Sequence, residues 1–127
     1  MKEMHYTEVK KWRWPNFSPK EIACKGDGLI VVDEKALDCL QAMRNNIGVP
    51  LVLNSAYRSE AYNKSVGGAP KSQHLLGRAF DIRITPNVTR EEIKYHAKEA
   101  GFTGIGDYDT FVHVDIGPVR YWDLRKK

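Results

Sequence analysis

From residue 111 to residue 116 the chain reads Phe111-Val112-His113-Val114-Asp115-Ile116, a strict alternation. On a strand, Phe111, His113 and Asp115 share one face while Val112, Val114 and Ile116 share the other. This is the pattern of a sheet strand, and it points a histidine and an aspartate away from an aliphatic face. Two further segments read as strands: Leu51-Val52-Leu53, and Arg78 to Ile84 around Phe80, Ile82 and Ile84. A fourth run, Gly104-Ile105-Gly106, leads to Tyr108.

Helices are announced by their caps. Ser18-Pro19-Lys20-Glu21 combines a capping Ser, a Pro at the first helical position and a Glu at the third, which predicts a short helix reaching about Ala23. Asp33 caps a second helix in which Leu37, Leu40, Met43 and Ile47 recur at three- and four-residue spacing before Gly48-Val49-Pro50. Thr89-Arg90-Glu91-Glu92 repeats the capping box, and Ile93, Ala97 and Ala100 line the helix that Gly101 closes. The fold class predicted is α+β, with N-terminal helices packed on a small, mostly antiparallel sheet interrupted by one helix.

The 127 residues, 42% of them hydrophobic, suffice for one core and are too few for two ordinary ones, so residues 1–127 are read as a single domain and a monomer. No run approaches the roughly 18 apolar residues of a membrane span, and Met1-Lys2-Glu3-Met4-His5-Tyr6 lacks an apolar signal segment, which predicts cytoplasmic synthesis. Net charge +4 suits an ordinary solvated surface and is compatible with a polyanionic partner. Cys24 and Cys39 do not form a metal knuckle and are expected as buried, reduced thiols.

Four histidines are available for chemistry. His5 lies near the chain end and His96 within the third helix, which leaves His74 and His113. His74 stands seven positions before Asp81, with Gly77 and Ala79 between them as small residues that let the chain turn closely beneath a shared point. Two imidazoles and a carboxylate suit zinc better than magnesium or calcium. The competing reading makes His113 a structural residue and pairs Asp81 with Arg78 or Arg83.

The order of these residues resembles a known family. Ser72-x-His74-x-x-Gly77-x-Ala79-x-Asp81, followed by Phe111-Val112-His113-Val114-Asp115, is similar to the zinc D-Ala-D-Ala carboxypeptidase superfamily, which includes phage endolysins, vancomycin-resistance dipeptidases and, more remotely, the hedgehog signalling domain. The likeness is strongest to its compact murein peptidases. It extends over roughly residues 14–123 through Asn54-Ser55-Ala56-Tyr57-Arg58-Ser59, Asn63, Gly67-Gly68, Gly104-Ile105-Gly106-x-Tyr108 and Trp122.

The resemblance implies zinc on His74, Asp81 and His113, with Arg58 binding a substrate carboxylate or polarising its carbonyl through its planar fork. Ser72, Tyr108 and Trp122, together with Tyr57, are expected to line the cleft. It implies peptidoglycan stem peptides as substrate, cut at bonds involving D-amino acids, and action at the cell wall after release of the kind phage lytic enzymes use or loss of a leader. Several branches place the general base as a Glu or His two or three residues before the last ligand, where this chain has Thr110 and Phe111. Asp115 is then the candidate general base, with Asp109 and Asp107 behind it, or else it orients a ligating imidazole. The departure also supports an alternative, a zinc-bound wall-recognition module without catalysis. Nucleic-acid binding through Lys10-Lys11-Trp12-Arg13-Trp14 and Arg125-Lys126-Lys127 is not expected, nor is membrane binding.

Overall fold

The caps form as their chemistry demands. Ser18, Asp33 and Thr89 accept the backbone N–H of Glu21, Ala36 and Glu92 and open helices α1 (Pro19–Ile22), α2 (Glu34–Ile47) and, later in the chain, α4 (Arg90–Ala100). Gly48 and Gly101 close α2 and α4 in the left-handed region. This is a computed structural model, and it describes residues 2–126; Lys127, the last residue of the basic tail, lies outside them together with Met1.

Five strands form the main sheet: β3 (Leu53–Ser55), β4 (Ala79–Arg83), β5 (Gly104–Asp107), β6 (Phe111–Asp115) and β7 (Arg120–Asp123), in the order β3-β4-β6-β5-β7. All pairs are antiparallel except β5 with β7. Ahead of them, β1 (Met4–His5) and β2 (Leu29–Ile30) make a small antiparallel pair, and α3 (Glu60–Ser65) follows β3. The architecture is the α+β one expected.

Phe80 and Ile82 of β4 and Val112 and Val114 of β6 are fully buried, and they join Leu37, Leu40 and Met43 of α2 and Ile93 and Ala97 of α4 in one core. Burying each large side chain there contributes about 1.5–3 kcal/mol. Both cysteines are free and buried. Some boundaries move. Ala23 is extended, so α1 stops at Ile22. The third strand begins at Leu53 rather than Leu51, because Val52 is 42% exposed and the ladder starts where Leu53 faces Ile82.

The face turned away from the helices is organised in two cross-strand rows. Asp81 lies opposite His113, His113 opposite Gly106 and Gly106 beside Trp122, with Ser55 facing Asp81 at the other end. In the neighbouring row Ala79, Asp115, Gly104 and Arg120 line up. Strand β5 thus offers glycine in both rows, so side chains from β6 and β7 meet over it. A Cβ at Gly106 would stand 2.4 Å from the Trp122 ring, and one at Gly104 2.2 Å from the Asp115 carboxylate.

Gly77 sits where the chain reverses before β4, at φ 71°, and a Cβ there would come within 2.5 Å of the Val31 carbonyl oxygen. Gly77→Ala is expected to cost about 2–3 kcal/mol, from the left-handed backbone plus the displaced carbonyl. Denaturant titration followed by circular dichroism measures it, and a loss under about 0.5 kcal/mol would show that the turn relaxes freely.

Candidate metal centre

His74 is delivered by a 3-10 turn, Gln73–Leu76, whose first amides fold onto Ser72; the Ser72 hydroxyl accepts the His74 N–H at 3.2 Å. The imidazole Nδ1 lies 2.6 Å from the carbonyl oxygen of Ala56. A carbonyl only accepts, so Nδ1 carries the hydrogen and Nε2 presents its lone pair. That lone pair faces Asp81 Oδ1 at 3.3 Å.

His113 repeats the arrangement with its ring nitrogens exchanged. Nε2 is 2.7 Å from Asp115 Oδ2, and Nδ1 is 2.9 Å from Asp81 Oδ1. With Nε2–H donated to Asp115, Nδ1 in the neutral ring is an acceptor turned toward another acceptor. Three lone-pair donors, one each from His74, Asp81 and His113, lie within 4.8 Å of one another, all on buried residues. Acceptors converging on one point repel unless a proton or a cation stands between them. The His74–Asp81 separation of 3.3 Å meets the roughly 3.3 Å edge of a tetrahedron with zinc bonds of about 2.05 Å, and the Asp81–His113 separation of 2.9 Å is shorter than it. The donor set fits zinc.

Protonation follows the same electrostatics. Where a proton rather than a cation stands between the acceptors, burial pushes the Asp81 carboxyl up, but the imidazole N–H then supplied by His113 or His74 outweighs it and holds the group below the usual carboxylate range. Burial lowers His113, and its bonds to Asp115 and Asp81 more than reverse this, leaving the ring more basic than usual.

Asp115 lies behind His113. Its side chain is fully buried, Oδ2 is shared by His113 Nε2 and the Arg120 guanidinium at 2.7 Å each, and Oδ1 accepts Gly117 N–H and Arg120 at 2.9 Å each. Burial raises its pKa, and the bonds from His113 and Arg120 bring it down to about 2. Every acceptor position is taken, on the far side of the imidazole from the donor cluster. Of the two roles expected of Asp115, general base or orienter of an imidazole, the geometry places its carboxylate as a hydrogen-bond partner of the His113 ring. Asp107 is no substitute, being fully buried against Arg90 and Lys94 at 2.8 Å. The exposed Asp109 carboxylate accepts the Lys126 N–H. Among the described residues lining the cleft, Asp81 is the one carboxylate.

A cleft of about 340 Å³ opens over the cluster, and it is lined by Arg58, Ser72, Tyr108 and Trp122 together with Gln73 and Arg120. Arg58 donates to Ser55 Oγ, Asn63 Oδ1 and Asp81 Oδ2 at 3.1, 3.3 and 3.4 Å. Tyr108 stacks on Phe111 at 4.5 Å, and its hydroxyl accepts the Trp122 indole N–H at 3.0 Å. Trp122 in turn lies 5.1 Å from the His113 ring. Tyr57 is not part of this wall; its hydroxyl bonds Glu3 and it borders a separate cavity. The aromatic residues of the basic N-terminal segment are likewise engaged internally, Trp12 with the carbonyls of Trp14 and Phe17, and Trp14 with Asp38.

Arg120 and Gln73 escaped sequence reasoning, and the two glycines of β5, read there as part of a motif, gave no sign of the side chains that meet over them. For Arg120 the signal was present in principle, a cation five residues past Asp115, but nothing local says that the strand pair brings them together.

A family profile described as Peptidase M15 matches residues 15–115. Over 100 residues the chain is 34% identical to the peptidoglycan L,D-endopeptidase MepK of Escherichia coli (strain K12), covering 72% of this chain and 54% of that protein. It is 41% identical over 73 residues to the probable peptidoglycan L,D-endopeptidase MepK of Haemophilus influenzae, covering 52% of this chain and 39% of the other. With the zinc D-Ala-D-Ala carboxypeptidase of Streptomyces albus G it shares 34% identity over 89 residues, 65% of this chain and 34% of the other. The chain thus spans about half the length, or less, of these curated relatives.

Proposed function

This chain belongs to the peptidase M15 family, and from that membership we propose that it is a zinc-dependent peptidase of peptidoglycan, hydrolysing stem-peptide bonds that involve D-amino acids. The observation that carries the reading is the convergence of His74 Nε2, Asp81 Oδ1 and His113 Nδ1 on one point in the floor of a cleft. Zinc bound there supplies Lewis acidity and a bound water with its pKa lowered to about 7.

The protein's own groups do the rest. Asp115 fixes the ring orientation and tautomer of His113, as Ala56 does for His74. Arg58, held from behind by Ser55 and Asn63, turns its remaining N–H donors to the substrate's carboxylate or to the carbonyl oxygen that gains charge during attack. Tyr108 and Trp122, tied by their hydrogen bond, form a rigid wall against the peptide. The domain works as a monomer at the cell wall, where its substrate is.

The absence of a second carboxylate among the described cleft residues favours one competing reading, a zinc-bound module that recognises the wall without cutting it. The two part in one experiment. Zinc-loaded protein is incubated with a defined crosslinked muropeptide, and the products are analysed by mass spectrometry with and without a chelator. Chelator-sensitive release of a stem-peptide fragment or free D-Ala is the expected result; tight binding with an intact muropeptide would replace the peptidase with the recognition module.

A further inference from the structure

Gln73 precedes the ligand His74 and is the first residue of the turn that presents it. Its Oε1 is shut off from solvent and finds no donor among the described residues. The carboxamide is pressed against the turn between β6 and β7: a Cβ added at Gly117 would come within 2.8 Å of Gln73 Cδ and 2.9 Å of Nε2. Gly117 is itself anchored, its N–H bonding Asp115 Oδ1 at 2.9 Å. A buried acceptor without a donor lowers the stability of the molecule that carries it. Met would fill the same volume at this position without that penalty.

Gln73 also lines the cleft, together with His74 and the cations Arg58, Lys71 and Arg120. Among side chains, a carboxamide is the one that pairs with a peptide group in both directions, accepting its N–H and donating to its carbonyl. Arg58 serves carboxylates and developing negative charge; Gln73 has the complementary chemistry for a neutral amide. We propose that Gln73 reads the substrate backbone, its carboxamide turning from its buried position to accept the N–H of a peptide group adjacent to the scissile bond. The inference rests on the peptidase reading above. The unmade hydrogen bond in the free protein is completed by substrate, so binding is favoured at the expense of resting stability.

The two halves of this statement have opposite signs in one variant. In Gln73→Met the zinc-free protein is expected to melt about 3 °C or more higher than wild type, since the unpaired acceptor is gone. The zinc-loaded variant is expected to keep its metal stoichiometry while its KM for the muropeptide rises about tenfold. A merely structural Gln would lower the melting temperature and leave KM alone. A second measurement uses muropeptide analogues methylated at one amide nitrogen each: wild type is expected to lose about tenfold on one analogue, and Gln73→Met to lose nothing further on it. An unchanged or lowered melting temperature, an unchanged KM, or an N-methyl effect that persists in the variant overturns the role. Wild-type protein inert toward the unmodified muropeptide overturns the peptidase reading itself, which is a distinct result.

Discussion

His74→Ala protein is expected to fold, to bind zinc roughly a hundredfold or more weakly than wild type, and to release no muropeptide fragments above background. Structural zinc sites with four ligands bind with about 10–16 kcal/mol, so each ligand contributes on the order of 3 kcal/mol, and loss of one of three leaves an open, weak site. The change also deletes the bond to the Ala56 carbonyl and leaves a cavity, since His74 is buried. That costs about 2–3 kcal/mol of stability. Zinc content by elemental analysis, activity by mass spectrometry and folding by circular dichroism separate the effects. Asp81 stays paired with Arg58 and His113 in the variant, so the sheet has a reason to persist. Full activity in folded, zinc-free His74→Ala would sink the metal-based reading.

The second large effect is expected at Asp115, where no contact with substrate is involved. Asp115→Asn keeps the shape and removes the charge, and an amide cannot accept from His113, Arg120 and Gly117 at once. Whichever way the amide turns, its NH₂ group meets two donors, Arg120 with either His113 or Gly117. Breaking a buried pair costs about 3–5 kcal/mol; Arg120 is partly exposed and relaxes into water, so about 2–3 kcal/mol is expected. His113 loses the partner that fixes its tautomer, and zinc affinity falls about 10–100-fold. The diagnostic comparison is the pH–rate profile: a general base at Asp115 would abolish one limb, whereas a positioning residue lowers the rate with the profile's shape retained. Zinc titration alongside urea unfolding reads the other two effects. An Asn variant with wild-type zinc affinity and a lost limb would return Asp115 to catalysis.

Much of this arrangement was legible from local pattern. The alternation of residues 111–116 placed His113 and Asp115 on one face, because period two is a property of any strand. Gly77 signalled the reversal that carries the chain from His74 to Asp81, because a left-handed residue next to close backbone favours glycine. The caps at Ser18, Asp33 and Thr89 satisfy orphan amides wherever they occur.

What stayed hidden depended on pairing between distant segments. Strand β7 runs parallel to β5 and owes its existence to that partner, as four residues ending in Tyr121-Trp122-Asp123 carry no alternation of their own. Helix α3 is too short for an apolar period to declare itself. The role of Asp115 turned on a guanidinium five residues away whose approach is set by the turn at Gly117, and face alone cannot distinguish a base from a brace. Gln73 gave no signal because its significance is a missing bond.

Strand β5 also limits how this cleft can diversify. Its glycines at 104 and 106 are defined by the space that Asp115, Arg120 and Trp122 occupy above them, not by unusual backbone angles. The middle of the sheet is therefore a fixed casting, in which a single added methyl group must evict the brace on His113 or the indole beside it. New substrate preferences have to enter through the rims, the segments 67–72, 108–111 and 116–119. A randomised library confined to those rims keeps its metal chemistry while it explores selectivity, whereas one that includes positions 104 and 106 spends most of its clones on proteins with a broken centre.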